Sequence, residues 1–209
     1  MVRLTKEERR RQIIEAAARV FAEKGMLGTR TREIAEAAGV NEALLYKHFE
    51  SKEELFAEAI RLLHRHLKKS WKMITSAADN GCRALTDSFI IQTLPVLESP
   101  EQSANLIHAM TAAMCDVRMR ELVSEWFGEH HDFMVNLVKM GIKDGSLKQE
   151  LDPDAVSVAI RGIVLMGAAL SALGISPELS VESTIKAYDM LIGCISAGEK
   201  PELPTALQP

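Results

Sequence analysis

The amino-acid sequence predicts an all-α protein. Apolar residues recur every three to four positions along most of the 209 residues, and this spacing places them on one face of a helix. Aromatic residues make up only 5% of the chain, and the alternating β-branched stretches that favour sheets are scarce. No proline, the residue that breaks helices most strongly, precedes Pro95. Together these observations predict about nine helices.

The beginning of the chain carries two helix start signals and one stop signal. Thr5 and Glu8 have the spacing of a capping box, so the first helix is expected to begin at Thr5. It is expected to end at Gly25, because glycine suits the left-handed conformation that terminates many helices. Ser51 and Glu54 repeat the capping spacing and predict the start of a long helix that runs to about residue 73.

Further helices are expected between breaks that contain glycine or proline. These breaks are Asn80-Gly81, Ser99-Pro100, residues 141–145 and residues 174–177. The pair Asp152-Pro153 has the form of an N-cap followed by proline at the first helical position. The expected helices are 81–97, 102–114, 118–143, 153–173 and 180–196.

The overall composition is that of a globular protein of the cytoplasm. Cys82, Cys115 and Cys194 are far apart and form no Cys-x-x-Cys pair, so neither a disulfide framework nor a zinc site is expected. Residues 1–12 are charged and lack the apolar stretch of a secretion signal. The net charge of −4 argues against a polycation that coats nucleic acid. It leaves sequence-specific DNA binding open, because that depends on local charge near phosphates.

Residues 30–49 have the dimensions of a helix-turn-helix, which is two short helices joined by a tight turn. The first helix must pack closely on the second, and Ala35 and Ala38 are small enough to allow this. Gly39 tolerates the positive φ of the turn. The second helix is expected to bury Leu45 and Phe49 and to expose its opposite face. That face carries polar and aromatic side chains suited to base edges and phosphates: Asn41, Glu42, Leu44, Tyr46, Lys47 and His48.

Residues 29–55 resemble the DNA-binding segment of the TetR family of regulators. A Thr-x-x-x-Glu-Ile-Ala opening, an Ala-Gly-Val turn, a Leu-Tyr-x-His-Phe recognition helix and a Ser-Lys-Glu-Glu-Leu start of the fourth helix all lie in register. The resemblance is specific over about residues 8–65, and beyond them only helix number and layout are similar. It implies a three-helix DNA-binding domain over 1–52 and a helical ligand-binding and dimerisation domain over 53–197. The remaining residues, 198–209, contain three prolines and are expected to form a flexible tail.

The resemblance also implies which residues meet a double-stranded DNA operator. A phosphate is expected at the N-terminus of the second helix, where backbone N–H groups and the helix dipole favour an anion. The residues that bring this terminus to the phosphate are Thr29, Arg30, Thr31 and Arg32. Those that anchor the recognition helix and the fourth helix on the DNA backbone are Tyr46, His48 and Lys52. Those left to read base edges are Asn41, Glu42, Ala43, Leu44 and Lys47.

Residues 155–173 are apolar nearly all round, so the helix they form must be buried on several sides. Its length also permits a membrane span, but Arg161 at its middle and the Asp-Pro start argue against one. We expect instead that helices 153–173 and 180–196 pair with their copies in a second chain. This would give the four-helix dimer interface that the family resemblance also implies.

The other helices of the larger domain carry a methionine-rich apolar set. Methionine adapts to irregular cavities, so the set suits a pocket for a small hydrophobic or amphipathic effector. The same side chains at helical spacing also simply fill cores, and that alternative stays open. The polar groups suspected inside the pocket include Asn105. The full candidate pocket set is Phe89, Gln92, His108, Met110, Met114, Trp126, Met134 and Arg161.

The function these patterns favour is that of a repressor released from a palindromic operator by its effector. The fourth helix links the DNA-binding domain to the pocket, so its tilt is expected to set the spacing of the two recognition helices. A metal-dependent enzyme on a helical bundle is the main rival, but no histidine follows a glutamate by three positions. Phosphate-binding, nucleophile-elbow and dinucleotide motifs are missing too, and we expect no metal or cofactor. A helical adaptor that never contacts DNA is the second rival.

Overall fold

The computed structural model describes residues 4–175 and 181–202. Over these residues the chain is helical, with one isolated β-bridge between Leu147 and Ser196. When the contiguous segments from Gly81 to Leu97 are counted as one, the described residues hold the nine predicted helices. The segments are α1 Lys6–Gly28, α2 Thr31–Ala37, α3 Glu42–Tyr46, α4 Lys52–Ala77, α5 Gly81–Ser88, a π-helical turn Phe89–Thr93, α6 Leu94–Leu97, α7 Pro100–Cys115, α8 Val117–Asp144, α9 Pro153–Ala172 and α10 Ser183–Ile195.

The helix ends largely follow the capping signals of the sequence. Thr5 opens α1 with the predicted capping box, and Gly25 interrupts that helix with φ 70° and ψ 161°. One further helical turn, residues 26–28, follows the interruption. Ser51 caps α4 by accepting the Glu54 N–H at 3.1 Å. The Glu54 carboxylate accepts from the Glu50 N–H instead of closing the box on Ser51, so half of the second predicted capping box forms.

The predicted break over residues 141–145 is wrong in its first part. Helix α8 continues to Asp144 and ends at Gly145, which has φ 80°. Gly141 lies within the helix, where it permits the close approach of α5 and does not form a turn. A Cβ atom built on Gly81 would lie 2.1 Å from the Gly141 nitrogen, so α5 meets α8 with almost no space between backbones. Sequence spacing alone does not reveal such a crossing.

Other boundaries differ by small amounts from the prediction. Helix α4 runs four residues past position 73, and α7 begins at Pro100 rather than at residue 102. Asp152 caps α9 with proline at its first turn, as predicted. The expected break at 174–177 begins with Gly174 at φ 69°, and residues 176–177 lie outside the described residues. The expected flexible tail lies largely outside them as well; in the described part, Lys200 pairs with Asp189 on α10.

Two hydrophobic clusters lie at opposite ends of α4. One joins α1, α2, α3 and the first half of α4 to α7 and the start of α8, and it includes Phe21 and Phe56. The other fills the space between α5, α8, α9 and α10, and it includes Ile74 near the end of α4. Helix α4 therefore contributes to both clusters and physically connects them.

Helix α9 is long and apolar enough to cross a membrane by length and composition alone. Only 33% of its most apolar stretch is buried within this chain. Its inner face, with Ile160 and Ala168, packs into the second cluster. Val158 and Met166 lie on the other side and are 57% and 61% exposed. A broad apolar face of α9 thus has no cover from the described residues of its own chain.

Candidate DNA-binding surface and ligand cavity

The helix-turn-helix forms at the predicted residues. Ile34 and Ala35 of α2 and Leu45 of α3 are at most 2% exposed and belong to the first cluster. Gly39 takes φ 64° in the turn, and Asn41 caps α3 by accepting the Leu44 N–H at 2.8 Å. The inner faces of both helices are therefore fixed by apolar burial, which leaves their outer faces free for polar contacts.

The outer face of α3 presents most of the residues predicted to contact DNA. Tyr46 is 49% exposed. His48 is half-buried, and its Nδ1 atom has no hydrogen-bond partner among the described residues. Leu44 is also partly buried. The fully exposed members of the predicted set on this face are Asn41, Glu42, Ala43 and Lys47.

A chain of hydrogen bonds joins this face to the start of α2. The Tyr46 hydroxyl donates to Thr31 Oγ1 at 3.2 Å, and the Thr31 hydroxyl donates to the Glu42 carboxylate. Three predicted DNA-contacting side chains are thereby brought together. Because hydroxyl groups rotate at little cost, both can turn to donate to a phosphate oxygen placed at the N-terminus of α2.

The arginines beside this terminus are on the surface. The Arg30 backbone N–H donates to the Glu33 carboxylate at 2.9 Å, and the Arg30 side chain is exposed. Arg32 pairs with Glu36 at 2.9 Å, with both side chains mostly exposed. Such surface ion pairs contribute little, so the guanidinium of Arg32 can exchange its partner for a phosphate.

Two predicted phosphate contacts are placed differently. Thr29 is 2% exposed and its hydroxyl donates to the Gly25 carbonyl at 2.7 Å, so its side chain supports the surface from behind. The Lys52 ammonium donates to the carbonyls of Met26 at 3.0 Å and Thr29 at 3.1 Å. These carbonyls end α1, where unpaired C=O groups attract cations. The prediction for Lys52 missed this because the approach of α4 to the end of α1 is a tertiary feature.

Asn105 of α7 reaches the same segment from the other domain. Its Nδ2 donates to the Phe21 carbonyl at 2.6 Å, and its Oδ1 accepts from the Met26 N–H at 2.9 Å. The interruption at Gly25 leaves these two backbone groups without helical partners. The sequence suggested Asn105 as a pocket residue, and it does line the cavity. Its bonds to α1 were not foreseen.

A cavity of about 450 Å³ lies between α1, α4, α7, α8, α9 and the segment from Ser88 to Val96. The volume is in the range of small-molecule sites. Most of the lining is apolar, with Phe21, Phe56 and Leu165 among its walls. The predicted pocket residues that line it are Phe89, Gln92, Trp126, Met134 and Arg161.

Three predicted pocket residues do not line the cavity. Helix α7 presents Gln102, Asn105, Leu106 and Ala109 to it, whereas His108, Met110 and Met114 are outside the lining. The His108 ring packs on Phe56 with ring centroids 5.5 Å apart. Burial and the nearby Lys52 ammonium lower the pKa of His108. Met114 is 74% exposed at the end of α7, and Met110 is outside the lining as well.

The wall formed by α8 and α9 holds the charged and aromatic polar groups of the cavity. Arg161 donates to the Phe127 carbonyl at 3.3 Å and to His131 Nδ1 at 3.0 Å. Beside it, burial first and then the charge of Arg161 lower the pKa of His130 to about 4, so this imidazole is neutral near pH 7. Within residues 4–175 and 181–202, no cluster of His, Cys, Asp and Glu side chains is arranged to hold a metal ion.

Helix α8 is also tied to α4 at the edge of this wall. The Glu129 carboxylate lies 2.7 Å from the Lys68 ammonium and 3.0 Å from His64 Nε2. The Lys68 bond is the main cause that lowers the pKa of Glu129. A change in the separation of α8 and α4 would stretch these contacts, so occupancy of the cavity has a direct mechanical route to α4.

Comparison with known proteins agrees with this arrangement. Residues 13–59 match the family described as bacterial regulatory proteins, tetR family. The chain is 31% identical over 170 residues to the HTH-type transcriptional regulator TtgR of Pseudomonas putida, which covers 77% of this chain and 80% of the relative. It is 28% identical over 153 residues to the HTH-type transcriptional repressor KstR2 of Mycolicibacterium smegmatis, covering 73% and 74%. A solved TetR transcription regulator from Haloarcula marismortui shares the fold, with TM-score 0.77 and 15% identity over 91% of this chain and 99% of that chain.

Proposed function

The chain belongs to the TetR family of bacterial transcriptional regulators, and on this premise we propose that it is a repressor that leaves a palindromic operator when a small hydrophobic or amphipathic effector enters its cavity. The family and the relatives named above are DNA-binding regulators and not enzymes. The naming of KstR2 as a repressor supports the same sign of regulation here. The cytoplasm, where operator DNA is found, is the proposed location.

The observation that carries this proposal is the exposed face of α3 beside the N-terminus of α2. Thr31 and Tyr46 place two hydroxyl donors where a phosphate oxygen would bind, and Asn41 and Lys47 stand exposed next to them. The buried inner faces hold this surface rigidly against α1 and α4. Direct contacts to base edges give specificity, and the phosphate contacts fix the register on DNA.

A homodimer through α9 and α10 is supported by the apolar surface that these helices leave uncovered. On α9, Val158 and Met166 are more than half exposed, as is Leu173 just beyond its end. On α10, Met190 is 70% exposed, and Gly193 on the same face is exposed too. An apolar patch of this kind marks an interaction site, and a two-fold copy of the same helices would cover both faces at once.

Two connections would carry the effect of the effector to DNA. Helix α4 begins against the end of α1 through Lys52 and reaches the second cluster at Ile74. Asn105 lines the cavity and bonds to both sides of the α1 interruption at Gly25. An effector that favours one separation of these helices over another shifts the spacing of the recognition helices. Half-sites lie about 34 Å apart or a multiple of this, so small displacements weaken simultaneous docking.

Selection of duplexes from a random-sequence pool by the full chain tests the proposal. We expect enrichment of an inverted repeat, bound with a stoichiometry of two chains or a multiple of two. The matched control is the Tyr46→Ala variant taken through the same selection, from which we expect weaker enrichment of the same repeat. A pool that stays random with the wild-type protein would contradict DNA reading, and an enriched sequence without two-fold symmetry would contradict the dimer.

A further inference from the structure

Arg161 presents a positive charge to a mostly apolar cavity. It lies in the middle of α9, is half-buried and lines the cavity. Its Nε atom is buried and has no hydrogen-bond partner among the described residues. Within the same residues no carboxylate lies within ion-pair distance of its guanidinium, although eleven other such pairs occur. Burial without an anion is unfavourable and lowers the pKa of Arg161.

The partners that Arg161 does have are a backbone carbonyl and an imidazole nitrogen. It donates to the carbonyl of Phe127 and to His131 Nδ1, which also lies 3.0 Å from Ser157 Oγ. His131 Nε2 lies 2.8 Å from an oxygen of Asp154. The Asp154 carboxylate thus meets the guanidinium only through the His131 ring. His130 beside it is neutral near pH 7, so among the described residues Arg161 has no direct anionic partner on this wall.

A second donor on the same wall is also unsatisfied. The indole nitrogen of Trp126 is buried, lacks a hydrogen-bond partner among the described residues, and belongs to a side chain that lines the cavity. It directly precedes Phe127, whose carbonyl Arg161 contacts. Buried polar groups without partners are rare in folded proteins. The wall therefore holds two side chains with an unsatisfied nitrogen, and of these Arg161 carries the charge.

The other unpaired buried atoms do not offset this excess of donors. His64 Nε2 and Glu129 Oε2 lack a well-directed hydrogen bond, but they lie 3.0 Å from each other. Lys68 takes the second oxygen of Glu129. Glu129 is thus already paired with α4, and it is not within ion-pair distance of Arg161.

We propose that the effector is an amphipathic carboxylate that pairs with the guanidinium of Arg161 and whose apolar body fills the remaining cavity. This inference rests on the proposed function and names the chemical class of its effector. A carboxylate supplies the anion that Arg161 lacks among the described residues. The apolar side chains around it, which include Phe21, Phe89 and Leu165, exclude water and strengthen the charged contact. A fully apolar effector would leave this charge without an anion.

Calorimetric titration of the full chain with dodecanoate, below its micellar concentration, and with dodecanol tests this assignment. The two probes share one apolar chain and differ in the charged group. We expect dodecanoate to bind at least about tenfold more tightly, because a hydrogen bond to a charged group contributes about 1.5–3 kcal/mol. In Arg161→Gln the preference should disappear while dodecanol affinity stays the same. Arg83→Gln, on the surface of α5 and outside the cavity, is the matched control and should behave as wild type.

A further variant keeps the test decisive if Arg161→Gln does not fold. Arg161→Lys retains the charge and should keep part of the preference. Equal affinities of wild type for the two probes, or no binding of dodecanoate, would overturn the proposal. Binding of the selected duplex by the protein without any probe is measured in parallel by fluorescence anisotropy. Absence of duplex binding by the wild-type protein would contradict the proposed function. Duplex binding without a preference for the carboxylate would contradict this inference alone.

Discussion

The α2–α3 region and the cavity differ in how their polar side chains find partners. In the first, Thr31 and Tyr46 bond to neighbouring side chains, and Lys52 behind them bonds to backbone carbonyls. In the cavity, Arg161 and Trp126 keep buried donors without partners. The side-chain bonds of the α2–α3 region can therefore be exchanged for new partners, whereas these donors of the cavity wall have no partner among the described residues to give up. His48 is the exception in the α2–α3 region, because its Nδ1 atom is also buried without a partner among them.

The largest expected effect concerns the exposed apolar face of α9. Met166→Glu places a charge where the proposed dimer buries an apolar side chain. We expect a monomer, because an unpaired charge in such an interface is strongly unfavourable. Operator affinity should fall by about a thousandfold, since each chain then binds a half-site alone. Sedimentation velocity and fluorescence anisotropy measure the two effects.

Met73→Glu is the control for this change. Met73 is 60% exposed on α4, outside the proposed interface, so the same substitution there should leave both the dimer and the operator affinity unchanged. A Met166→Glu protein that remains dimeric would show that the apolar face of α9 has another role.

Helices α5 and α8 pack closely against each other at Gly81 and Gly141, in contrast to the helices around the cavity. In Gly81→Ala the new methyl group would meet the Gly141 backbone at 2.1 Å. Backbone cannot move aside as a flexible side chain can, so we expect the free energy of unfolding to fall by about 3 kcal/mol. Urea denaturation followed by circular dichroism measures it.

Gly128→Ala is the matched control on α8. A Cβ atom at this position meets nothing within 4 Å, and alanine favours a helix interior more than glycine does. The free energy of unfolding should therefore rise by about 0.5–1 kcal/mol. Equal losses of stability in Gly81→Ala and Gly128→Ala would show that the close approach of α5 to α8 at Gly81 is not the cause of the destabilisation.

The same contrast explains how far the sequence could predict this molecule. The helix-turn-helix was predictable because its signals are local: Gly39 takes positive φ, Asn41 caps α3, and Leu45 is fully buried. Lys52 and Asn105 contact backbone groups that the sequence does not mark: Lys52 binds carbonyls at the end of α1, and Asn105 binds groups freed by the interruption at Gly25. Which helix approaches those groups depends on tertiary packing, which leaves no periodic signal in the chain.

Some of the side chains suggested for a pocket line the cavity of the structure. Phe89, Met134 and Arg161 are among them. His108 and Met114 do not line the cavity. Helical spacing shows on which face of its own helix a residue lies, but it does not show which neighbouring helix packs against that face. The sequence could not predict that the indole N–H of Trp126 lacks a hydrogen-bond partner among the described residues, since this depends on the absence of a neighbouring acceptor in the folded chain.

The buried histidine in the cavity wall predicts a dependence of stability on pH. Burial and the nearby Arg161, His131 and His64 lower the pKa of His130 from 6.5 to about 4. Between these values the unfolded chain binds a proton that the folded chain does not, so stability falls as the pH drops from 6.5 towards 4. At pH 5 this loss amounts to about 2 kcal/mol.

Urea denaturation of wild type and His130→Gln at pH 7 and pH 5 measures this contribution. The variant should lose about 2 kcal/mol less than wild type between the two pH values. His66→Gln is the control, because His66 is exposed on α4, and it should show the wild-type pH dependence. An unchanged pH dependence in His130→Gln would mean that this imidazole is not kept neutral by the wall.

Tyr46 tests whether the exposed face of α3 contacts DNA. Tyr46→Ala should weaken operator binding by about tenfold through loss of a phosphate contact, with no loss of helicity because the side chain is 49% exposed. Tyr46→Phe removes only the hydroxyl and its bond to Thr31, so it separates the hydroxyl from the ring. Wild-type affinity in the alanine variant, measured by anisotropy, would remove Tyr46 from the DNA-contacting residues.

The smallest expected effect is at Asn105, where the two regions meet. Asn105→Ala removes the bonds to the Phe21 carbonyl and the Met26 N–H. Asn105 is half-buried, so water can reach the vacated position and stability should fall by about 1 kcal/mol. The stronger consequence is local: amide hydrogen exchange around Gly25 should accelerate in Asn105→Ala, because these bonds hold the interruption closed. Gln102→Ala, which changes another cavity residue of α7, should leave that exchange unchanged. Equal acceleration in both variants would show that α7 stabilises α1 by packing alone, and that the amide of Asn105 does not couple the cavity to the DNA-binding surface.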